Sequence, residues 1–159
     1  MDTLKTPGTY ALVLACSNPI RIRVGALGEV GLDAGYLVYV GSAFGPGGLA
    51  GRLRHHLRPV RRPRWHVDYL REQASLVGVW CASGPRSLEH EWATAFANIR
   101  GFTAPHRGLG ASDCACDTHL LHSRRRPTGR WIRESLAGAQ GATPVDFFRI
   151  NRLQVLVDG

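Results

Sequence analysis

Hydrophobic positions fall into two regimes along this chain. Gly8–Cys16 is almost continuously apolar, which predicts a strand covered on both faces, with Tyr10 at its start where the hydroxyl could still reach water. Ile20, Ile22 and Val24 alternate with Arg21 and Arg23, predicting a half-exposed strand after the Asn18-Pro19 turn. Gly25–Gly35 reads as a hairpin-like connection, and Tyr36–Val40, β-branched and aromatic, as a further strand. Beyond the Gly/Pro-rich turn Ala43–Gly48 the period changes: Leu49, Leu53 and Leu57 recur every fourth residue, the stripe of a helix. Trp65–Leu70 opens a short helix, Leu76–Cys81 is a strand, and Ser87–Asn98 is a helix with Leu88, Trp92, Phe96 and Ile99 inward. Gly101–Asp117 is irregular. A helix around Gly129–Leu136 and a closing strand at Phe147–Val157 complete the reading.

Strands and helices mix without regular βαβ alternation. The expected class is therefore α+β, with a small mixed or antiparallel central sheet flanked by helices and an inserted hairpin. The 159 residues suit one domain at 1–122 with a C-terminal extension, 123–159, packed on it. No apolar run is long enough for a membrane span, and four cysteines, two of them isolated, do not form a disulfide scaffold. A cytoplasmic protein is expected; its oligomeric state is left open.

Charge narrows the partner. The net charge is +8, and Lys5 is the only lysine among 20 Lys and Arg. Arginine suits bidentate phosphate contacts, so an anionic partner such as nucleic acid is favoured. Arg58, Arg61, Arg62 and Arg64 form one basic loop, and Arg124–Arg126 form another. Within the helix after the glycine turn, Arg52 and His56 are four residues apart and share a face one position off the apolar stripe. With a tyrosine leaving the preceding strand, that is poor core design and a good site. Taken singly, strand tyrosines usually pack and an Arg/His edge is usually solvated.

Together these residues resemble a known family. Gly8-Thr9-Tyr10 and Tyr39-Val40-Gly41 look like the two halves of the GIY-YIG signature, with the Arg52/His56 helix following. Here 28 residues lie between Tyr10 and Tyr39, more than in most GIY-YIG domains, an excess accounted for by the hairpin Ile20–Gly35. An uncharacterised branch of that superfamily is similar over Gly35–Ala43, Trp65–Tyr69 and the Ser-Asp-Cys-x-Cys-x-x-His-Leu run Ser112–Leu120. The resemblance implies an endonuclease that hydrolyses single-stranded or structured DNA with one Mg²⁺ or Mn²⁺. By similarity Tyr10 takes or relays a proton, Tyr39 holds the nucleophile, Arg52 binds the scissile phosphate, His56 assists Tyr10, and Glu89 ligates the metal. Gly41, Ser42, His66, Ser112, Asp113 and His119 would face the substrate, with Arg58, Arg61, Arg62 and Arg64 along its path. Relatives fused to DNA glycosylases suggest a DNA-repair partner.

Three alternatives stand beside this. Cys114, Cys116 and His119 could hold Zn²⁺, although C-x-C is a less usual spacing than C-x₂-C, and a substrate-facing loop without zinc is the expectation. His66 and Asp68 could be a substrate feature or a purely structural helix start. The whole chain could be a non-catalytic nucleic-acid-binding module. Helical geometry leans toward Glu89 over Glu91 as the metal ligand, because Glu89 shares a flank with small Ala93 while His90 points away.

Overall fold

The computed structural model describes residues 2–109, 118–139 and 144–159. Its strands are β1 (Gly8–Cys16), β2 (Ile20–Arg23), β3 (Glu29–Leu32), β4 (Gly35–Ala43), β5 (Ser75–Ser83), β6 (Phe102–Thr103), β7 (Leu120–Ser123) and β8 (Asp146–Arg149). Its α-helices are α1 (Gly48–Leu57), α2 (His66–Arg71), α3 (Ser87–Asn98), α4 (Arg130–Ala139) and α5 (Ile150–Asp158). Six strands form one sheet in the order β6-β7-β4-β1-β5-β8, and β2 and β3 form a separate hairpin. Every pairing is antiparallel, so the class is α+β with an antiparallel rather than mixed sheet, and the expected inserted hairpin is present.

The sheet is covered on both faces, as the unbroken apolar run of β1 requires. Successive side chains of a strand point to opposite faces. Tyr10, Leu12 and Leu14 accordingly join a core with Leu49 and Leu53 of α1, Val67 and Leu70 of α2, Leu153 of α5, and Ile22 and Val30 of the hairpin. Ala11 and Val13 join the opposite core with Leu88, Trp92 and Phe96 of α3 and Ile132 and Leu136 of α4. The α3 stripe read from the sequence is the buried stripe, except that Ile99 lies just past the helix and is only partly buried.

Besides the two-residue strand β6 in the stretch read as irregular, three elements depart from the sequence reading. The connection Gly25–Gly35 contains a true strand, β3, whose Val30 and Leu32 are buried in alternation with exposed Glu29 and Gly31. Leu120–Ser123, given no strand, pairs with Tyr36–Tyr39 and extends the sheet beyond β4. The closing strand at Phe147–Val157 is instead β8 followed by a helix: Asp146–Arg149 pair with Gly78–Cys81, then α5 begins. Leu153, Val155 and Val157 satisfy a two-residue period. The side chains actually buried are Leu153 and Val157, four apart on one helical face, while Val155 is 73% exposed.

The two ends of the α1 layer are tied. Gly48 begins α1 at φ +58°, and a Cβ there would lie 2.4 Å from the Thr6 carbonyl oxygen, so the turn demands glycine. At the other end Arg54 of α1 donates from Nε to the Val157 carbonyl at 3.1 Å, and a second nitrogen of the same guanidinium reaches that oxygen too. An arginine on the last carbonyls of a helix satisfies acceptors that have no intrahelical partner. Arg54→Ala is expected to cost about 1 kcal/mol and to lower Tm by about 2–4 °C in a thermal melt. An unchanged Tm would mean that α5 is held by Leu153 and Val157 alone. No described helix is long and apolar enough to cross a membrane.

Candidate functional site

Strand register assembles the first half of the site. Tyr10 of β1 stands opposite Gly41 of β4. A Cβ at Gly41 would lie 2.6 Å from both Cζ and the hydroxyl of Tyr10, so the tyrosine ring lies across the bare backbone of its partner strand. The sequence suggested that this hydroxyl reaches water. It is instead buried, the residue being 2% exposed, and it hydrogen-bonds His56 Nε2 at 2.8 Å. The α1 stripe of Leu49 and Leu53 seats the helix on this face of the sheet, which swings Arg52 and His56 toward Tyr10. Arg52, a donor only, hydrogen-bonds the same phenol oxygen.

Electrostatics keep this pair uncharged. Burial, with Tyr39 and Glu89 nearby, raises the Tyr10 phenol well above its ordinary value against the opposing influence of Arg52. Burial, reinforced by Arg71 and His55, lowers His56 to about 3. At neutral pH the cluster therefore holds a phenol, a neutral imidazole and the Arg52 cation.

The second half comes from α3 and the segment before β7. Glu89, in the first turn of α3, meets His119 Nδ1 with Oε1 at 3.1 Å and accepts a hydrogen bond from Ser42, which ends β4 beside Gly41. Burial alone would raise Glu89, but these bonds more than offset it and hold the carboxyl below its usual value, hence ionised. His90 is exposed, as the helical wheel suggested, yet its ring lies 5.7 Å from that of His119. The strand ends, the first turn of α3 and the start of β7 thus bring Tyr10, Tyr39, Gly41, Ser42, Arg52, His56, Glu89 and His119 to one region.

Other expected site residues lie elsewhere or outside the described residues. Ser112, Asp113, Cys114 and Cys116 fall in 110–117, outside them. Arg58, Arg61 and Arg62 line a hollow of about 600 Å³ with His55, Asp68 and Arg71, whereas Arg64 lies nearer Trp65, 5.9 Å from its ring. His66 sits part-buried at the start of α2. Asp68 is a structural helix start: its Oδ2 accepts the backbone N–H of Arg64 at 2.9 Å and of Trp65 at 3.1 Å.

Trp65 was not anticipated. Arg52 lies 4.3 Å over its indole and the His55 ring packs edge-on at 4.6 Å, so Trp65 fixes the plane of the guanidinium beside Tyr10. The available signal was the Trp-His-x-Asp-Tyr segment itself, whose tryptophan rather than histidine carries the contact.

Comparison with known proteins gives one result. No curated protein and no solved structure matches the chain. A family model described as "Domain of unknown function DUF123" matches residues 9–139, from β1 through α4, and so takes in the whole Tyr10–Glu89 cluster. The chain is a member of the DUF123 family.

Proposed function

We propose that this chain is a metal-dependent endonuclease of GIY-YIG type, cleaving phosphodiester bonds in single-stranded or structured DNA. The observation that carries the reading is the meeting of a phenol, a fixed guanidinium, an imidazole and an ionised carboxylate around Gly41. Phosphodiester hydrolysis needs water aligned on phosphorus, an acceptor for its proton, and charge balance on the phosphoryl and leaving oxygens. Arg52, planar and stacked on Trp65, presents a fork that suits phosphate oxygens. Tyr39 stands beside Tyr10 to orient the water, and the Tyr10–His56 hydrogen bond holds the phenol oxygen in place.

The donor set at Glu89 fits a hard cation: one ionised, half-buried carboxylate already oriented by His119 and Ser42, the sparse protein ligation typical of Mg²⁺ or Mn²⁺. Such an ion supplies Lewis acidity at the leaving oxygen and the positive field that a raised tyrosine needs before it can accept a proton. The net charge of +8 suits the substrate.

The test is incubation with single-stranded, duplex, flap and abasic DNA in Mg²⁺ or Mn²⁺. Cleavage that stops on chelation supports the reading; binding to all four without cleavage of any would turn it into a non-catalytic nucleic-acid-binding module. The hollow at Arg58, Arg61 and Arg62 supplies a second, quantitative check. Replacing all three with alanine is expected to weaken DNA binding regardless of sequence and to shallow the dependence of log K on log salt by roughly one unit per lost phosphate contact. An unchanged slope would remove this loop from the DNA path.

A further inference from the structure

Behind Tyr10, on the side of His56 away from the phenol, three polar side-chain atoms converge. A ring nitrogen of His55, a ring nitrogen of His56 and a carboxylate oxygen of Asp68 all lie within 4.8 Å of one another. His55 Nε2, His56 Nδ1 and Asp68 Oδ1 are each buried and make no hydrogen bond among the described residues. His56 and Asp68 are each 1% exposed. His56 Nδ1 has no polar partner among the described residues, while His55 Nε2 and Asp68 Oδ1 meet at 3.4 Å as an ion pair rather than a well-formed hydrogen bond, and a buried acceptor left in this way is costly. We propose that His55, His56 and Asp68 form a Zn²⁺ site, distinct from Glu89 and from the Cys114/Cys116 run, with its fourth position open toward the arginine-lined hollow.

Geometry and surroundings support this. At Zn–ligand distances of about 2.0–2.1 Å, adjacent donors of a tetrahedron stand about 3.4 Å apart. His55 Nε2 and Asp68 Oδ1 are already 3.4 Å apart, so closure falls mainly on the His56 ring. Two of the three ligands have outer partners in place. A histidine that binds metal through one nitrogen donates from the other, and His56 Nε2 faces the Tyr10 oxygen at 2.8 Å. A ligating carboxylate is held by further hydrogen bonds, and Asp68 Oδ2 has two backbone N–H donors. Two nitrogens and one oxygen are a borderline donor set, which suits Zn²⁺ better than Mg²⁺ or Ca²⁺.

One group competes: Arg71 Nη1 lies 3.5 Å from the same Asp68 oxygen and balances the carboxylate when no ion is bound. The open position faces the hollow lined by Arg58, Arg61 and Arg62, so a water or an oxyanion such as phosphate would complete the coordination. Nothing here requires the chain to be a nuclease. An ion on His56 Nδ1 would fix the proton on Nε2, making Tyr10 the acceptor in their shared bond.

The experiment is titration of the purified full chain with Co²⁺, followed by displacement with Zn²⁺. One equivalent of Co²⁺ should give visible d–d absorption of a tetrahedral nitrogen/oxygen site without the near-ultraviolet charge transfer of a thiolate, and Zn²⁺ should bleach it. His55→Ala, at a side chain 38% exposed and so tolerant of replacement, should weaken binding by more than the ~10–100-fold lost with an outer-shell partner. Arg71→Met should tighten it, and Glu89→Ala should leave it unchanged. A thiolate band, no stoichiometric binding, or full binding in His55→Ala would overturn the proposal. Loss of binding in Glu89→Ala would reassign the metal to the Tyr10–Glu89 site.

Discussion

Glu89→Ala is expected to lower DNA cleavage by on the order of 10³-fold or more while leaving DNA affinity within a few-fold of wild type. The carboxylate is ionised and oriented by His119 at 3.1 Å and by Ser42. The phosphate would be gripped from the other side, by Arg52 and the basic loop, so ground-state binding does not depend on Glu89. Loss confined to turnover is the signature of an interaction made in the transition state. Glu91→Ala, two positions along α3, should stay within a few-fold of wild type. Cleavage intact in Glu89→Ala but lost in Glu91→Ala would move the metal to Glu91, and full activity in both would exclude a one-metal site on α3. Binding is measured in Ca²⁺ or chelator and cleavage in Mg²⁺, so the two effects separate cleanly.

The second large effect is expected from Gly41→Ala. The added methyl would sit 2.6 Å from Cζ and the hydroxyl of Tyr10, against a ring that is itself held by His56 and Arg52. Overpacking of this kind costs about 1–3 kcal/mol, or about 2–12 °C in Tm for a chain of this length. Relief requires Tyr10 to leave its place, so activity should fall further than stability. A variant that melts like wild type and cleaves like wild type would show that the ring has room, and that the Tyr10–Gly41 contact positions nothing.

How far the sequence carried the fold depended on element length. β1, β4, β5 and α3 are each nine residues or longer, enough for a period to declare itself, and α3 runs from Ser87 to Asn98 as read. β3 and β7 are four residues each, too few to distinguish alternation from chance, and β7 exists because β4 offers an unpaired edge. At α5 the apolar positions fit both periods. Only the partner decides: once β8 has filled the edge of β5, the remaining apolar residues are buried by turning back onto α1.

The site followed the same logic. Arg52 and His56 were readable as a pair because four residues of helix put them on one face, whereas Tyr39 and Glu89 were singled out by the resemblance to the GIY-YIG signature and not by any period. Trp65 and His55 were not, because each acts through a neighbour: the indole through Arg52, and the imidazole across a gap to Asp68. Neither contact leaves a periodic trace.

The β1–β4 register separates two things that sequence spacing confounds. The connector carrying β2 and β3 leaves β1 at Cys16 and returns at Gly35, which face each other six pairs away from Tyr10 and Gly41. At about 3.4 Å per residue that is about 20 Å along the strands. Lengthening or trimming the connector therefore moves nothing at the Tyr10 end, provided the two strands still zip from the same pair. Its cost is thermodynamic, through Ile22, Val24, Val30 and Leu32, which the hairpin buries over this face. The length of the gap between Tyr10 and Tyr39 is thus set by the stability of the hairpin and not by the Tyr10–Gly41 contact, which any length that keeps this register leaves in place.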